Sequence, residues 1–128
     1  MKWTKRERKA IEDSIKHWEK DIITHLREGD KIIISTCHGR IWKNTGEEVR
    51  HMDADCPLCK LVGLQSACDK CPYNKYYGYP CDRLGVVSKK HGHWRKFNVD
   101  PCLRTAIGMQ RALKRLLIQE EQDGRYNG

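Results

Sequence analysis

The sequence predicts a small α+β domain in which two amphipathic helices pack together around a β-hairpin and a cysteine-rich loop. Three observations lead to this fold class. Apolar residues recur at helical spacing near both ends of the chain, two short apolar runs lie between them, and five of the seven cysteines cluster in the middle. A chain of 128 residues normally forms a single domain, and with only 38% hydrophobic residues its core is small.

An N-terminal helix is predicted over residues 1–29. Its apolar positions repeat at spacings of four and three residues, which places them in one stripe on the helix surface. The stripe consists of Ile11, Ile15, Trp18, Ile22 and Leu26. Gly29 follows at the place where a left-handed C-terminal cap is expected, so we expect the helix to end there.

Residues 30–55 are predicted to contain the β-hairpin. Three consecutive isoleucines lie in the first strand, 31–35, and a second short apolar run covers 40–43. Glycines follow each run, Gly39 after the first and Gly46 after the second, and both positions suit turns.

The last helix is predicted over residues 100–121. Asp100 suits the N-cap, and Pro101 suits the first turn. Its buried face is predicted to consist of Leu103, Ala106, Ile107, Gln110, Leu113, Leu116 and Leu117. Because each terminal helix has one apolar face, we expect the two faces to pack against each other, while residues 122–128 form a polar tail that frays.

The segment between these elements, residues 56–99, is predicted to be loop-like and carries the most specific motif. Two C-x2-C pairs are separated by eight residues. Each pair can turn tightly and direct two thiolates at one ion, and two such turns supply the tetrahedral site that zinc prefers. Cys81 is a fifth thiol that could replace one of the four. The predicted metal ligands are Cys56, Cys59, Cys68, Cys71 and Cys81.

These ligands predict a metal-binding domain with a zinc loop. The site would be structural, because four thiolates leave no position for a water molecule. An iron–sulfur cluster is the alternative cofactor. Cys71-Pro72 is similar to the Cys-Pro that ends ferredoxin motifs, although the close three-cysteine spacing of those motifs is absent. A reducing cytoplasm and an odd number of cysteines favour metal over disulfides.

A second metal site is a weaker hypothesis. Cys37-His38 and His91-Gly92-His93 supply zinc-type ligands that Cys81 or Cys102 could complete, but their spacing follows no recurring pattern. The simpler interpretation is that both histidines of the second group are solvated or contact phosphate, and that Cys102 is a small buried residue.

Half of the formal net charge of +8 lies in residues 82–104, which contain six Lys or Arg against two Asp. Such a segment can contact phosphates through its cations while an aromatic ring stacks on a base. The predicted nucleic-acid-binding residues are Lys89, Lys90, His91, His93, Trp94, Arg95 and Lys96. The alternative is that Trp94 and Phe97 pack under the metal loop and that the charges are merely solvated.

The sequence contains no catalytic motif. A zinc deaminase needs His-x-Glu well upstream of Pro-Cys-x-x-Cys, whereas His51-Met52-Asp53 directly precedes the first cysteine pair. Phosphate-binding, metalloprotease and serine-hydrolase motifs are also absent. A small zinc-supported nuclease with His38 or His51 as base is kept as an alternative. No signal peptide and no apolar run of membrane-spanning length is found, so we expect a cytoplasmic protein without a membrane partner.

The cysteine pattern with Cys56, Cys59, Cys68, Cys71-Pro72 and Cys81, followed by Trp94, Phe97 and an amphipathic helix, resembles small cysteine-rich proteins of bacteriophages that have no assigned activity. The resemblance covers residues 30–118. It implies a phage-encoded accessory factor in the cytoplasm of a host cell. The leading hypothesis is therefore a non-enzymatic zinc-binding protein whose partner is nucleic acid or a nucleic-acid-associated protein. The alternative is a protein-binding inhibitor of a host enzyme or host defence system.

Overall fold

The computed structural model describes residues 1–36, 39–51, 55–63, 68–83, 85 and 91–127, with side chains described as far as residue 121. Helices surround a small two-stranded sheet. In chain order the elements are α1 (Lys5–Trp18), a π-helical turn (Glu19–Ile23), α2 (Thr24–Arg27), β1 (Ile32–Ser35), β2 (Gly39–Trp42), α3 (Pro57–Val62), α4 (Pro72–Tyr77), α5 (His93–Val99) and α6 (Leu103–Asn127). Within the described part of the chain, none of these helices combines the length and apolar character needed to cross a membrane.

The N-terminal helix is confirmed. It begins with a capping box, because the Thr4 hydroxyl accepts a hydrogen bond from the Glu7 backbone N–H (3.1 Å) and the Glu7 carboxylate accepts one from the Thr4 N–H (3.0 Å). The π-helical turn was not predicted. It inserts one residue into the regular spacing, and both Ile22 and Ile23 are completely buried as a result.

The apolar faces of α1 and α6 pack against each other, as predicted. Ile11 on α1 and Leu113 and Leu116 on α6 are all completely buried. Polar contacts reinforce this packing: the Trp3 indole N–H donates to the Leu116 carbonyl (2.8 Å), and the Gln110 amide donates to the Ile15 carbonyl (3.2 Å). The short helices pack onto this pair: α3 contacts α1, and α4 and α5 contact α6.

The β-hairpin is also confirmed, with slightly different bounds from the predicted 31–35 and 40–43. The strands β1 and β2 pair antiparallel, with Ile32 opposite Trp42 and Ile33 opposite Ile41. Trp42 is buried and stacks on His25, with ring centroids 4.6 Å apart, which anchors the hairpin to α2. Further along β1, towards the turn, Ile34 is 80% exposed.

Residues 56–99, predicted to be loop-like with only short regular structure, contain three short helices. The first two begin at Pro57 and Pro72, since proline directly after a cysteine presets the first helical turn, and each ends at a glycine with positive φ (Gly63, 91°; Gly78, 81°). The third, α5, carries Arg95 and Lys96 of the predicted basic segment.

The predicted end of the last helix at residue 121 is wrong, because α6 continues to Asn127. The Glu120 carboxylate accepts hydrogen bonds from the Arg8 guanidinium (2.8 Å) and from the Trp3 backbone N–H. These contacts tie the C-terminal part of α6 to the start of the chain, so the helix does not fray where the sequence turns polar.

Candidate metal centre

The five cysteines predicted as metal ligands line one cavity of about 370 Å³, here called the thiol cavity. Helices α1, α3, α4, α5 and α6 all contribute residues to its wall. The cysteines reach it from three separate parts of the chain: Cys56 and Cys59 at the start of α3, Cys68 and Cys71 before α4, and Cys81 in the turn after Tyr79-Pro80. Folding thus brings all five predicted ligands to one place.

Each C-x2-C pair lies at the start of a short helix. Backbone N–H groups point at the first sulfur of the first pair and at the second sulfur of the second pair. The N–H groups of Cys59 and Leu58 bond to the Cys56 sulfur, and those of Tyr73 and Asn74 bond to the Cys71 sulfur. N–H groups in this arrangement stabilise a thiolate, which is the form of cysteine that binds metal.

The thiols are close enough to influence one another's ionisation. A hydrogen bond from Cys59 lowers the pKa of Cys56, and the same contact together with burial raises the pKa of Cys59. Burial raises the pKa of Cys71 to about 11, and burial raises the pKa of Cys81 well above its ordinary value, with Cys56 contributing to both shifts. Several thiolates cannot coexist here unless a cation compensates their charge.

Ser14 provides a further observation on the Cys56 side of the cavity. Its hydroxyl is fully buried on α1 and has no hydrogen-bond partner of normal geometry among the described residues. It nevertheless lies close enough to Cys56 to lower the pKa of that thiol. A thiolate at Cys56 would accept the Ser14 hydroxyl proton, so this otherwise orphaned donor fits a metal-bound sulfur.

The sulfurs do not form a ready-made coordination site. No group of three or more His, Cys, Asp or Glu side chains among the described residues is arranged to hold a metal ion in the structure as it stands. The six described cysteines are free thiols. A metal would have to draw the sulfurs inward from the cavity wall, so the zinc site and its iron–sulfur alternative both stay predictions.

Two histidines that the motif search did not include also line the thiol cavity, His17 and His51. His17 Nδ1 lies 2.7 Å from the Asp21 carboxylate, one helical turn along, and His51 Nδ1 donates to the Val49 carbonyl (3.0 Å). Metal-binding histidines commonly have their second ring nitrogen held in this way. The helical spacing of His17 and Asp21 was visible in the sequence, but nothing in the sequence placed that pair beside the cysteines.

The predicted nucleic-acid-binding residues separate into two places. Trp94 and Arg95 line the thiol cavity, where the Trp94 indole stacks on His51 and donates its N–H to the His51 carbonyl. The Arg95 guanidinium donates to the Asp82 carbonyl (2.9 Å). His91, His93 and Lys96 instead line a groove between α5 and α6. Lys89 and Lys90 lie outside the described residues.

The residues of the hypothetical second metal site have other partners where they are described. His91 Nδ1 accepts from the Gly85 N–H (2.8 Å), and His93 Nδ1 is hydrogen-bonded to the Tyr73 hydroxyl. The Cys102 thiol lies 3.5 Å from the Thr105 hydroxyl. Cys37 and His38 lie outside the described residues. The role of His38 as the base of a nuclease therefore stays a prediction.

His51, the other base considered for a nuclease, is 7% exposed. Burial lowers its pKa, and its ring is packed between Trp94 and Phe97. His51 is therefore a buried residue that lines the edge of the thiol cavity. No protein-family model, curated protein or solved structure matches this chain.

Proposed function

We propose that this chain is a non-enzymatic zinc-binding accessory protein, phage-encoded as its resemblance implies, whose partner is nucleic acid or a nucleic-acid-associated protein. The observation that carries the zinc proposal is the convergence of five cysteines from separate parts of the chain on one cavity. Four thiolates satisfy zinc completely, so the metal would act as a structural centre.

The role of the metal follows from what surrounds the thiol cavity. Its wall joins α1 and α6, which form the core pair, to the short helices α3, α4 and α5. With a third of the residues charged, the chain has limited apolar surface with which to hold these short helices in place. A zinc ion bound to cysteines from all three parts would contribute its binding free energy to folding.

The cavity offers more donors than one zinc ion needs. Cys71 is the buried thiol of the five, and Cys81 lies ten residues beyond it, outside both C-x2-C pairs. His17 and His51 supply nitrogen donors, so sets of four cysteines or of three cysteines and one histidine both suit zinc. Cys56 and Cys71, each of which receives two backbone N–H bonds, belong to every set we consider.

The proposal is tested by the metal content of protein purified from cells grown without added chelator. We expect about one zinc ion per chain. Cys71→Ser should lose most of this zinc, whereas the matched variant Cys102→Ser, which changes a thiol outside the cavity, should retain it. Iron with a visible absorption band would indicate the cluster alternative. Protein without metal, or equal loss in both variants, would overturn the zinc proposal.

A specific observation also favours the protein-binding inhibitor as a second candidate. Ile33 and Ile34 on β1 are 43% and 80% exposed, and among the described residues β1 pairs with β2 alone. An apolar side chain on an open sheet edge is a common protein contact. A stoichiometric complex with a host protein that survives moderate salt and is lost in Ile34→Ser would support this function.

A further inference from the structure

A groove of about 550 Å³ runs between α5 and α6, on a different face of the molecule from the thiol cavity. The two sets of lining residues have no member in common. Its charged and titratable lining residues are His91, His93, Lys96, Asp100, Arg104, Arg111 and Arg115. The three arginines belong to α6, and Arg111 and Arg115 lie beyond the basic segment 82–104. The groove therefore combines charges that are distant in sequence.

The cations of the groove are available to a ligand. Lys96, Arg111 and Arg115 are exposed, and none of them forms an ion pair with another described residue, although the Arg115 guanidinium also donates to the Tyr77 hydroxyl. Asp100 is the single carboxylate of the lining, and it lies 3.4 Å from Arg104. Some cations elsewhere are neutralised, for example Arg8 by Glu120 and Lys75 by Glu7, both at 2.8 Å, whereas three of the four groove cations are not neutralised by any described residue.

The arginines follow one line along the helix. Positions 104, 111 and 115, with Gly108 between them, are separated by four, three and four residues, which is the spacing of a single stripe on an α-helix. At about 1.5 Å per residue, the stripe is about 16 Å long. A β-carbon built on Gly108 would meet no atom within 4 Å, so this glycine leaves the middle of the groove open.

Lys96 faces this stripe from α5, and His93 lies between the two helices. Burial together with the charges of Lys96 and Arg115 lowers the pKa of His93 to about 4. Lys96 on α5 and Arg115 on α6 both line the groove beside His93. His93 itself is neutral near neutral pH, where it can donate or accept a hydrogen bond but adds no charge.

We infer that the groove between α5 and α6 binds the phosphodiester backbone of a nucleic acid. A row of exposed cations along a concave channel, of which Arg104 alone has a carboxylate partner among the described residues, matches a chain of phosphates, whereas a lipid surface is too flat to enter it. The inference rests on the proposed function, because the turn with Cys81 holds the start of α5 in position: the Cys81 carbonyl accepts the Arg95 N–H (3.1 Å). Trp94 takes no part, since it packs on His51.

Fluorescence anisotropy with labelled single-stranded DNA, duplex DNA and RNA of about 20 nucleotides tests this inference at salt concentrations from about 50 to 300 mM. The groove variant is Lys96→Gln/Arg111→Gln, which removes one exposed cation from each wall. The control is Lys16→Gln/Lys20→Gln, which makes the same change in net charge on exposed residues of α1 and the π-helical turn. Zinc content and thermal unfolding are measured on each sample.

Each lost phosphate contact should reduce the slope of log K against log salt by about 0.9 for duplex and about 0.7 for single strands. Two lost contacts at about 0.1 M salt correspond to a loss of affinity of about 60-fold for duplex or about 25-fold for single strands. The control variant should change affinity by less than about 3-fold, and the salt slope identifies the strand form that binds.

Three results would overturn the inference. The zinc-loaded protein could bind no nucleic acid at low salt, or the groove and control variants could lose the same amount of affinity. The third is that the protein binds mixed phosphatidylcholine–phosphatidylserine vesicles as strongly as it binds nucleic acid. Each of these results can be obtained with zinc bound, so it would count against the groove and not against the metal centre. A protein without zinc that still shows the groove-specific loss would instead overturn the proposed metal centre and leave the groove standing.

Discussion

The close approach between α5 and the turn that carries Cys81 leaves Gly92 no room for a side chain. A β-carbon built on Gly92 would lie 2.1 Å from the Cys81 carbonyl oxygen, 2.4 Å from the Cys81 carbonyl carbon and 2.6 Å from the Pro80 carbonyl oxygen. All three are backbone atoms, so no side-chain rotation relieves the overlap. The turn would have to move by about 1 Å to restore an ordinary contact.

Overpacking of this kind costs about 1 to 3 kcal/mol, and because backbone must move on both sides we expect Gly92→Ala to cost about 3 kcal/mol. Gly108→Ala is the matched control. That position lies within α6, has no atom within 4 Å of the built β-carbon, and adopts helical backbone. Alanine is favoured over glycine there by about 1 kcal/mol. The same chemical change should therefore have opposite signs at the two sites.

Urea denaturation of zinc-loaded protein, followed by tryptophan fluorescence, measures both effects. With a slope of about 1 to 3 kcal/mol per molar urea, the midpoint should fall by about 1 to 3 M for Gly92→Ala and rise by about 0.3 to 1 M for Gly108→Ala. A free energy of unfolding for Gly92→Ala within about 0.5 kcal/mol of the unmodified protein would refute the packing of the Cys81 turn on α5.

Two further predictions concern single side chains. The pKa of His93 is lowered to about 4 in the folded protein, against an ordinary 6.5. Because the unfolded chain therefore takes up a proton at higher pH than the folded protein does, the free energy of unfolding should fall as the pH drops from about 6.5 to about 4. His93→Gln should flatten this part of the pH profile, and an unchanged profile would contradict the burial of the imidazole. Ser14→Ala removes the donor beside Cys56, so competition with a chelator should show zinc affinity reduced by about 10-fold. If Ser14 were only an unsatisfied buried hydroxyl, the variant would stabilise the metal-free protein and leave zinc affinity unchanged.

The two terminal helices and the hairpin could be predicted because their signals are local. The stripe of α1 repeats within one helix, and the hairpin strands are separated by a short turn, so neither prediction requires knowledge of distant contacts. The short helices α3 and α4 were missed because six residues are too few to show a helical period, although Pro57 and Pro72 marked their first turns. The end of α6 was missed because Glu120 is held by Arg8, which is 112 residues away in sequence.

The candidate sites show the same division. The spacing of the cysteines was sufficient to predict which thiols belong together, because each C-x2-C pair is a local turn. The charge count located a basic segment, but it could not show that Trp94 and Arg95 face the thiol cavity while Lys96 faces α6. The side chains of neighbouring residues on a helix point in different directions, so a count of charges along the chain cannot show which surface each side chain faces.

The sequence by itself therefore determined the fold class, the terminal helices, the hairpin and the set of five candidate thiols. Only the tertiary structure decided that His17 and His51 join those thiols, and that arginines of α6 complete a groove with Lys96. The physical reason is that local spacing controls turns and helical faces, whereas a cavity or a groove exists only where two elements distant in sequence are packed together. Both candidate sites lie at such junctions, one around the thiols and one between α5 and α6.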